Sequence, residues 1–554
     1  MTPFRPRETL ATHDVTNQAE PLGDVQLFAG DAMLREAAAA ALTEADAARE
    51  AQLPHLTAFG AQVGQEAVRD HGRQANESPP KFTPFDRFGR RIDEVEFHPA
   101  YHELMRLGLE AGVSARAWTH PEGGHSAHAA LLILMGWADA GVCCPMSMTY
   151  AVVPALQASA WAAAEWAPRA TAAAYDPRAL PASHKAAATL GMAMTEKQGG
   201  SDVRANTTRA HPLGADEVEL TGHKWFCSAP MSDAFLTLAQ EEAGLSCFLV
   251  PRWRPDGARN PMEIQRLKDK LGDRSNASSE IEYRGAWARR VGEPGRGVRT
   301  ILEMVQHTRL DCLVGSAGQI RMGLALAAQH TATRSAFQKR LIDQPAMRAV
   351  LADLALETEA ALALAFRVAV LFDRAAAGDE AASLAARIAT PVAKFWICKR
   401  APGAISEAME CLGGAGYVEE SGLPRLFRQS PLNAIWEGSG NVIALDVLRA
   451  LEREPKVREA LAEELAPAQR LTPALDAAIA EALGEAPQAV ALARRYASLT
   501  AIALAAAALA RRGETESAIA FAADRLGGGL GLYGAHGLPP AADRLIGRAR
   551  IEQA

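Results

Sequence analysis

The chain has 554 residues, which is more than one hydrophobic core supports and predicts three or four domains. With 49% hydrophobic and 22% charged residues, the composition is that of a globular protein and excludes an intrinsically disordered chain. The formal net charge of -7 excludes a global attraction for nucleic acid or anionic membranes. Any polyanion would therefore need a local basic patch.

Three further classes of feature are not expected. The first 20 residues are polar and contain no continuous apolar stretch, so no secretory signal is predicted. The apolar stretch 497–510 is alanine-dominated with arginines near both ends, which favours a packed helix over a membrane span. The seven cysteines fit neither a disulfide framework nor a metal pair, and we expect buried thiols in a reducing cytoplasm. His120, His125 and His128 lack a partner for a metal site and are interpreted as a polar loop.

The predicted elements follow in three blocks. Residues 31–190 contain alanine-rich segments with apolar residues at three-to-four spacing, which predicts helices. From Gly191 to about Gly297, short alternating segments such as 218–226 and 245–251 lie between Gly, Pro, Asp and Asn clusters and predict strands. Helical patterns return after Arg299, continue to Arg449, and are followed by alanine-rich helices over 452–512.

This order predicts a segregated α+β protein and not an alternating βαβ one. The expected domains are an N-terminal helical domain (1–190), a middle β domain (191–298), a C-terminal helical bundle (299–449) and an appended helical domain (450–554). Gly529 to Gly534 has the spacing GxGxxG of dinucleotide-binding folds. No predicted strand precedes it, and its only acidic residue at the required later spacing, Glu552, lies almost at the chain end. We therefore interpret it as a helix-breaking loop.

Two segments near the start of the β domain carry candidate binding groups. Residues 194–203 (MTEKQGGSDV) combine two glycines with Ser and Asp in a tight turn whose N–H groups and hydroxyl can meet flavin carbonyls or a pyrophosphate. Residues 222–228 (GHKWFCS) place Trp225 and Phe226 on a strand, where they can stack beside a flat cofactor, with Ser228 as a hydrogen-bonding group. Taken alone, these segments are more typical of a capped turn and of aromatic core packing.

A third segment, residues 411–445, contains LGGAGY, Arg425, Arg428 and IWEGSGN. Its glycines allow close approach of a cofactor, and its arginines can meet phosphates. Glu437 lies in an apolar context, so desolvation should raise the pKa of its carboxyl toward that of a general base. Taken alone, the segment is more typical of a glycine-rich helix-to-loop junction with solvated arginines.

Together, in this order and at similar separations, the three segments resemble the acyl-CoA dehydrogenase superfamily, whose patterns are MTEPxxGSD, GxKxWIT, LGGxGY and YEGT. Arg334-Ser-Ala-Phe337, followed by Gln344, resembles the cofactor pattern Arg-xx-Phe-Gly…Gln of the same family. The strings MTEKQGGSDV, LKDKLGDRSNAS, IWEGSGN, FHPAYHELM and CPMSMTYA resemble its alkylation-response (AidB-like) branch, which is usually grouped with the isovaleryl-specific enzymes. The resemblance covers roughly residues 30 to 450.

The resemblance implies an acyl-CoA dehydrogenase-like fold with a central β-barrel, bound FAD and a homotetramer built as a dimer of dimers. Arg334 and Phe337 would reach the FAD of a neighbouring subunit, and Gly413 and Gly414 would close that site. The implied FAD contacts are Met194, Thr195, Gly200, Ser201, Asp202, Val203, Phe226, Ser228, Ala229, Pro230, Arg334, Phe337, Gly413, Gly414, Ile435, Trp436, Gly438, Ser439, Gly440 and Asn441.

The resemblance also implies the chemistry, in which a carboxylate removes the proton α to a thioester carbonyl while a hydride leaves the β-carbon for the flavin. The family places its base at one of two positions. One corresponds to Glu437, and the other precedes a family arginine that resembles Arg309. Because that second position holds Thr308, which cannot act as a base, Glu437 is the predicted base. Trp436 replaces a smaller residue beside Glu437 and narrows the expected pocket, so the sequence does not identify the acyl chain of the substrate.

Departures from the family pattern are Lys197-Gln198 in the first motif and Gln338 in place of the glycine after Phe337. The AidB-like branch also implies that the appended domain binds double-stranded DNA through positive charge. Residues 451–554 contain 12 Arg/Lys and 13 Asp/Glu, so the domain is not basic, and binding should be weak and salt-dependent. The local candidates, which could converge on one face or be solvated helix ends, are Arg494, Arg495, Arg511, Arg512, Arg544, Arg548 and Arg550.

Overall fold

The computed structural model describes residues 7–43, 46–485, 487–528 and 531–552. Its N-terminal region is a layer of helices in which aspartate side chains accept hydrogen bonds from first-turn N–H groups, as Asp31 does from Leu34 and Asp139 from Val142. The helices are α1 (Ala32–Leu42), α2 (Asp46–Val63), α3 (Glu66–Glu77), α4 (Pro99–Glu110), α5 (Arg116–Thr119), α6 (Gly124–Ala138), α7 (Ala140–Leu156) and α8 (Ala160–Ala170).

The expectation of helices throughout 31–190 is wrong at one place. Strands β1 (Lys81–Phe85) and β2 (Arg91–Glu96) form an antiparallel hairpin between α3 and α4. The turn that joins them contains Gly89 at φ +80°, a conformation that glycine adopts without steric cost. The turn chemistry at Asp86–Gly89 was the available signal, since the flanking strands are too short for a clear alternation.

The middle region is a closed β-barrel, as predicted. Its strands are β3 (Leu190–Ala193), β4 (Arg209–Pro212), β5 (Glu217–Ser228), β6 (Ala234–Glu241), β7 (Gly244–Pro251), β8 (Met262–Leu267) and β9 (Ser278–Val291). The sheet runs β3-β6-β4-β5-β9-β7, and β7 pairs with β6 again, which closes the ring. Strand β5 is buried on alternate residues over most of its length, whereas β6 is buried on both faces from Ala234 to Ala239.

The bundle that follows is built from long helices whose alanine-rich faces pack closely. Its elements are α9 (Gly297–Thr333), β10 (Ser335–Ala336), β11 (Lys339–Arg340), α10 (Pro345–Ala376), α11 (Glu380–Cys411), α12 (Leu423–Gln429) and α13 (Gly440–Arg453). Helices α9, α10 and α11 pack on one another, and α9 also packs against α6, α7 and β7. Helix α9 therefore contacts the bundle, the N-terminal helices and the barrel, and residues near its start lie where these regions meet.

The appended helices are α14 (Pro455–Leu465), α15 (Pro473–Leu483), α16 (Ala493–Arg511), α17 (Thr515–Leu526) and α18 (Ala542–Ala549). Helix α16 packs against α10, α11 and α13. Among the described residues, one helix, Val490–Arg511, is long and apolar enough to cross a membrane by length and composition, and 61% of that stretch is buried inside the fold.

Residues near the end of α18 lie next to the residues that precede α1. The Arg321 guanidinium on α9 forms a fully buried ion pair with Asp31 and donates to the Ala549 carbonyl at 2.8 Å. Gly529 of the predicted GxGxxG loop lies outside the described residues. Its last glycine, Gly534, donates its N–H to the Asp353 carboxylate at 2.8 Å, and helix α17 precedes the segment where a nucleotide-binding fold requires a strand.

Candidate active site

The loop that precedes α13 is shaped by a buried cation. Lys394 on α11 is 1% exposed, and its ammonium donates to the carbonyl oxygens of Asn433 (2.8 Å), Trp436 (2.9 Å) and Gly438 (3.2 Å). An ammonium has three donors and no acceptor, so three carbonyls satisfy it and are satisfied in turn. The loop is thereby held in one conformation around Glu437.

The side chain and the backbone of Glu437 in this loop are both held by hydrogen bonds from α9. Its backbone lies at φ +56°, a left-handed conformation that a non-glycine residue keeps only when its surroundings enforce it. The Thr308 hydroxyl donates to Glu437 Oε2 at 2.8 Å, and Arg309 Nε donates to the Glu437 carbonyl at 3.0 Å. Arg309 is itself held by Asp446 at 2.7 Å. Two consecutive residues of α9 thus fix both the side chain and the backbone of Glu437.

Burial raises the pKa of the Glu437 carboxyl above its ordinary value, and the Thr308 hydrogen bond with the charges of Lys394 and Arg309 opposes that rise. A carboxyl group with a raised pKa that is still held by donors suits a general base. The predicted rise in the pKa of Glu437 agrees with this environment, and its role as a base stays a prediction.

The first predicted binding segment is anchored by Glu196. This carboxylate accepts hydrogen bonds from Lys224 Nζ (2.8 Å), Thr208 Oγ1 (2.6 Å) and the Thr207 N–H (2.7 Å). Burial alone would raise the pKa of Glu196, but Lys224 and the hydrogen bonds lower it to about 2. Glu196 therefore fixes the turn to strand β5 as a buried anion, a structural role.

A few residues after Glu196, the backbone N–H groups of residues 200–203 donate to no acceptor among the described residues. Thr195, which precedes the turn, accepts from the Trp225 N–H at 2.8 Å through its carbonyl, so the turn lies directly against strand β5. A row of free donors beside a barrel strand suits the carbonyl or phosphate oxygens of a ligand.

Apolar surface is exposed at several predicted cofactor contacts. Phe226 is 52% exposed and Ile435 is 62% exposed, and Phe226 lies edge-on to Trp225 with ring centroids 6.3 Å apart. The Ser228 hydroxyl lies 3.3 Å from the Ser278 hydroxyl, and Ala229 follows at φ +49°. Flat apolar faces next to free backbone donors fit a planar, partly polar ligand such as a flavin.

Other predicted contacts lie far from Glu437 within one chain. Arg334 follows the end of α9, 25 residues after Arg309, and a rise of 1.5 Å per residue separates the two by roughly 37 Å. Phe337 is 93% exposed in the tight turn between β10 and β11, where Phe337 and Gln338 both have positive φ. Gly413 and Gly414 are exposed at the end of α11. One chain therefore does not bring these residues to the base.

Two residues of the site, Thr308 and Lys394, were missed from the sequence. Thr308 was considered only as a failed base, and Lys394 belongs to no motif. Trp436 donates its indole N–H to Asn433 Oδ1 at 2.8 Å, so the bulky residue beside Glu437 is fixed by a hydrogen bond. At Gly440, a Cβ atom would lie 2.5 Å from Lys399 Cε, so the end of the Lys399 side chain would have to shift.

The candidate DNA arginines do not form one free basic face, which corrects that expectation. Arg494 donates to the predicted cofactor contact Asn441 at 3.0 Å. Five of the other six pair with carboxylates: Arg495 with Glu481, Arg511 with Glu464, Arg512 with Glu514, Arg544 with Glu359, and Arg548 with Glu36 and Glu359. Arg550 is exposed at the end of α18. DNA binding stays a prediction.

The interpretation of the histidines as a polar loop is wrong for His125 and His128, whereas His120 is exposed in a bend after α5. His125 and His128 are buried on α6, where His125 Nδ1 lies 2.7 Å from the Tyr150 hydroxyl and His128 Nε2 lies 2.8 Å from Asp311. Among the described residues, no group of three or more His, Cys, Asp or Glu side chains is placed to hold a metal ion. The seven cysteines are free, and all except the partly buried Cys143 are buried.

A helical layer, a closed barrel and a helical bundle, with a buried carboxylate where they meet, define the acyl-CoA dehydrogenase fold. Residues 17–177 match the N-terminal domain of the adaptive response protein AidB. Residues 191–286 match the acyl-CoA dehydrogenase middle domain, and residues 295–452 match the acyl-CoA dehydrogenase C-terminal domain.

Individual relatives agree. The chain is 46% identical to AidB of Escherichia coli (strain K12) over 455 residues, which cover 82% of this chain and 83% of the relative. It is 33% identical to acyl-CoA dehydrogenase family member 11 of Caenorhabditis elegans, over 73% of this chain and 67% of the relative. A solved structure of Caenorhabditis elegans ACDH-11 in complex with C11-CoA superposes with a TM-score of 0.82 at 27% identity, over 95% of each chain. The chain belongs to the acyl-CoA dehydrogenase family, in its AidB-like branch.

Proposed function

We propose that this protein is an FAD-dependent acyl-CoA dehydrogenase in which Glu437 removes the α-proton of an acyl-CoA thioester. The observation that carries the proposal is the placement of Glu437, whose carboxylate is held by Thr308 and whose pKa is raised by burial. A base of this kind is desolvated enough to accept a carbon-bound proton and still oriented by a hydrogen bond.

FAD is the cofactor of the acyl-CoA dehydrogenase family, and the residues present here fit it. The free N–H groups of residues 200–203 suit its polar oxygens, while Phe226 offers an exposed ring at the position of the family's stacking residue. Bound FAD would supply the acceptor for the hydride that leaves the β-carbon. Glu437 would hold the departing proton on a carboxylate oxygen.

The backbone of Glu437 adds a second function. Its N–H donates to no acceptor among the described residues, whereas its carbonyl is occupied by Arg309. A free N–H beside the base suits the thioester oxygen, where negative charge develops as the α-proton leaves. The left-handed conformation of Glu437 therefore supports both proton removal and oxyanion stabilisation.

The proposal that the substrate is an acyl-CoA is supported by the similarity to ACDH-11, whose structure was solved in complex with C11-CoA. Trp436 packs against a hydrophobic cluster that contains Cys144, Met148 and Met304. We propose that this cluster forms the wall of the acyl pocket and that Trp436, fixed by Asn433, limits its width.

We further propose a cytoplasmic homotetramer in which Arg334 and Phe337 complete the FAD site of a neighbouring subunit. The separation of roughly 37 Å from Arg309 and the 93% exposure of Phe337 support a role outside the chain's own site. Sedimentation or mass photometry tests the assembly, and Phe337→Asp should weaken FAD retention in a tetramer but not in an isolated chain.

The decisive test is anaerobic mixing of the purified protein with straight-chain and branched acyl-CoAs, C11-CoA among them. Flavin absorbance should bleach in the wild type and in the control Glu303→Gln, which changes an exposed carboxylate of α9. Glu437→Gln should retain FAD and fail to bleach. A colourless wild type that FAD cannot reconstitute contradicts the cofactor, and equal bleaching by Glu437→Gln contradicts the base.

The alternative function, DNA binding with weak or vestigial dehydrogenation, receives no support from the paired arginines. Fluorescence anisotropy with duplex DNA over a salt series tests it on the same preparation. Binding by the wild type, together with no bleaching by any acyl-CoA, would favour this alternative.

A further inference from the structure

The segment between β8 and β9 brings a second lysine to the candidate site. Lys270 Nζ donates to the Asn276 carbonyl at 2.8 Å and to the Ser278 hydroxyl at 3.3 Å. No carboxylate among the described residues lies within ion-pair distance of this ammonium. Lys268, two residues earlier, differs because it pairs with Glu280 at 2.6 Å.

Ser278 connects Lys270 to a predicted flavin contact. Ser278 and Ser228 face each other across strands β9 and β5, with their hydroxyl oxygens 3.3 Å apart. Either hydroxyl could donate if the pair were isolated. An ammonium only donates, so Ser278 accepts from Lys270 and has its own proton free for Ser228. Ser228 then accepts, and its own proton is available to an acceptor other than Ser278.

The charge of Lys270 is offset only in part, by the Asp273 and Asp139 carboxyl groups beyond ion-pair distance. Burial raises the pKa of Asp273 to about 7, so this nearby carboxyl is only partly ionised at neutral pH, and its Oδ1 has no hydrogen-bond partner. Burial also raises the pKa of the Cys144 thiol to about 12, so Cys144 stays neutral. Burial lowers the pKa of Lys270 itself, which marks an ammonium removed from solvent.

We propose that Lys270 is a positioning residue that orients the hydroxyls of Ser278 and Ser228 as a directed donor chain toward the flavin and thereby favours its reduced form. A reduced flavin carries more negative charge than an oxidised one, so a donor and a nearby cation stabilise it preferentially. This inference rests on the FAD site of the proposed function and adds a residue that tunes it.

The test is the midpoint potential of bound FAD, measured by equilibration with reference dyes under anaerobic conditions without any acyl-CoA. In Lys270→Met, the equilibrium constant for two-electron flavin reduction should fall about tenfold, which corresponds to a potential about 30 mV lower. Lys270→Arg should restore most of the difference. Lys456→Met, the control, should stay near the wild type because Lys456 is an exposed lysine on α14 that pairs with Glu380.

Ser278→Ala separates the donor chain from the charge alone. It should lower the potential in the same direction, and adding Lys270→Met to it should lower the potential by less than in the wild-type background. Unchanged potentials in both Lys270→Met and Ser278→Ala would overturn the inference. If Lys270→Met fails to fold, an unshifted Ser278→Ala overturns it alone.

Failure of the proposed function is distinguishable from failure of this inference. A wild type without flavin contradicts the proposed FAD site itself. A yellow wild type whose variants keep the wild-type potential contradicts only the role of Lys270.

Discussion

Removal of the Thr308 hydroxyl tests how the base is tuned. Thr308 donates to Glu437 Oε2 at 2.8 Å and also lies 3.1 Å from the Val305 carbonyl. A hydroxyl has one proton, and the ionised carboxylate is the stronger acceptor. A hydrogen bond to a charged group is worth about 1.5–3 kcal/mol, and one pKa unit corresponds to about 1.36 kcal/mol. Thr308→Val should therefore raise the pKa of Glu437 by about 1–2 units.

The direction of the change follows from the role of the ionised form. Glu437 must be a carboxylate to accept the α-proton, and Thr308 stabilises that carboxylate. Without the hydroxyl, the protonated acid persists to higher pH, so the acidic limb of the flavin-bleaching rate moves upward by about 1–2 pH units. The rate at high pH should remain, because a base of higher pKa accepts a proton at least as well.

The assay is the single-turnover rate of anaerobic bleaching by one acyl-CoA across the acidic and neutral range. Thr308→Ser keeps the hydroxyl and should keep the wild-type limb. Thr300→Val makes the same chemical change on the same helix, but Thr300 faces only the Arg296 carbonyl, and it should leave the limb unchanged. An acidic limb that stays in place or moves to lower pH in Thr308→Val would refute the reasoning.

Three further predictions concern stability. Arg321→Met leaves Asp31 as an unpaired buried carboxylate, and chemical denaturation should show a loss of about 3–5 kcal/mol. The pKa of Glu196 is lowered from 4.5 to about 2, so its ionised form stabilises the fold above pH 4.5 and this stabilisation is lost as the pH falls toward 2. Urea titrations should show the free energy of unfolding fall by about 3 kcal/mol over that window. In Glu196→Gln, this pH-dependent loss should be absent. Gly416→Ala places a Cβ atom 2.1 Å from the Met409 carbonyl oxygen and should lower the Tm by several degrees.

The order of helical, β and helical regions was predictable because periodicity is a local property. The strand patterns at 218–226 and 245–251 lie within β5 and β7, and the return to helix near Arg299 falls within the first turn of α9. The hairpin β1–β2 was missed because its two strands have five and six residues, too few to establish an alternation inside a helical region.

The candidate site was predictable only where its residues share a motif. Glu437 could be found because it lies in IWEGSGN. Its partner Thr308 lies 129 positions earlier, and the sequence relates the two only as alternative positions of the base, not as donor and acceptor. Lys394 was invisible for another reason, since its partners are backbone carbonyls, which every residue possesses. Motifs therefore located the reacting groups, while the groups that tune them required the fold.

The appended helices pack against the elements that carry the candidate active site. Helix α16 packs on α11 and α13, which carry Lys394 and Gly440, and its Arg494 contacts Asn441. Glu359 is only 2% exposed and is contacted by both Arg544 and Arg548.

Turning these two guanidinium groups toward phosphates would leave the buried Glu359 carboxylate without its cations. Withdrawal of a cation from a buried carboxylate is destabilising, and each new phosphate contact would first have to offset that loss. Arg544 and Arg548 are therefore better explained as contacts that fasten the appended helices to the bundle. Through Arg494, the same docking also supports the loop that carries the proposed base.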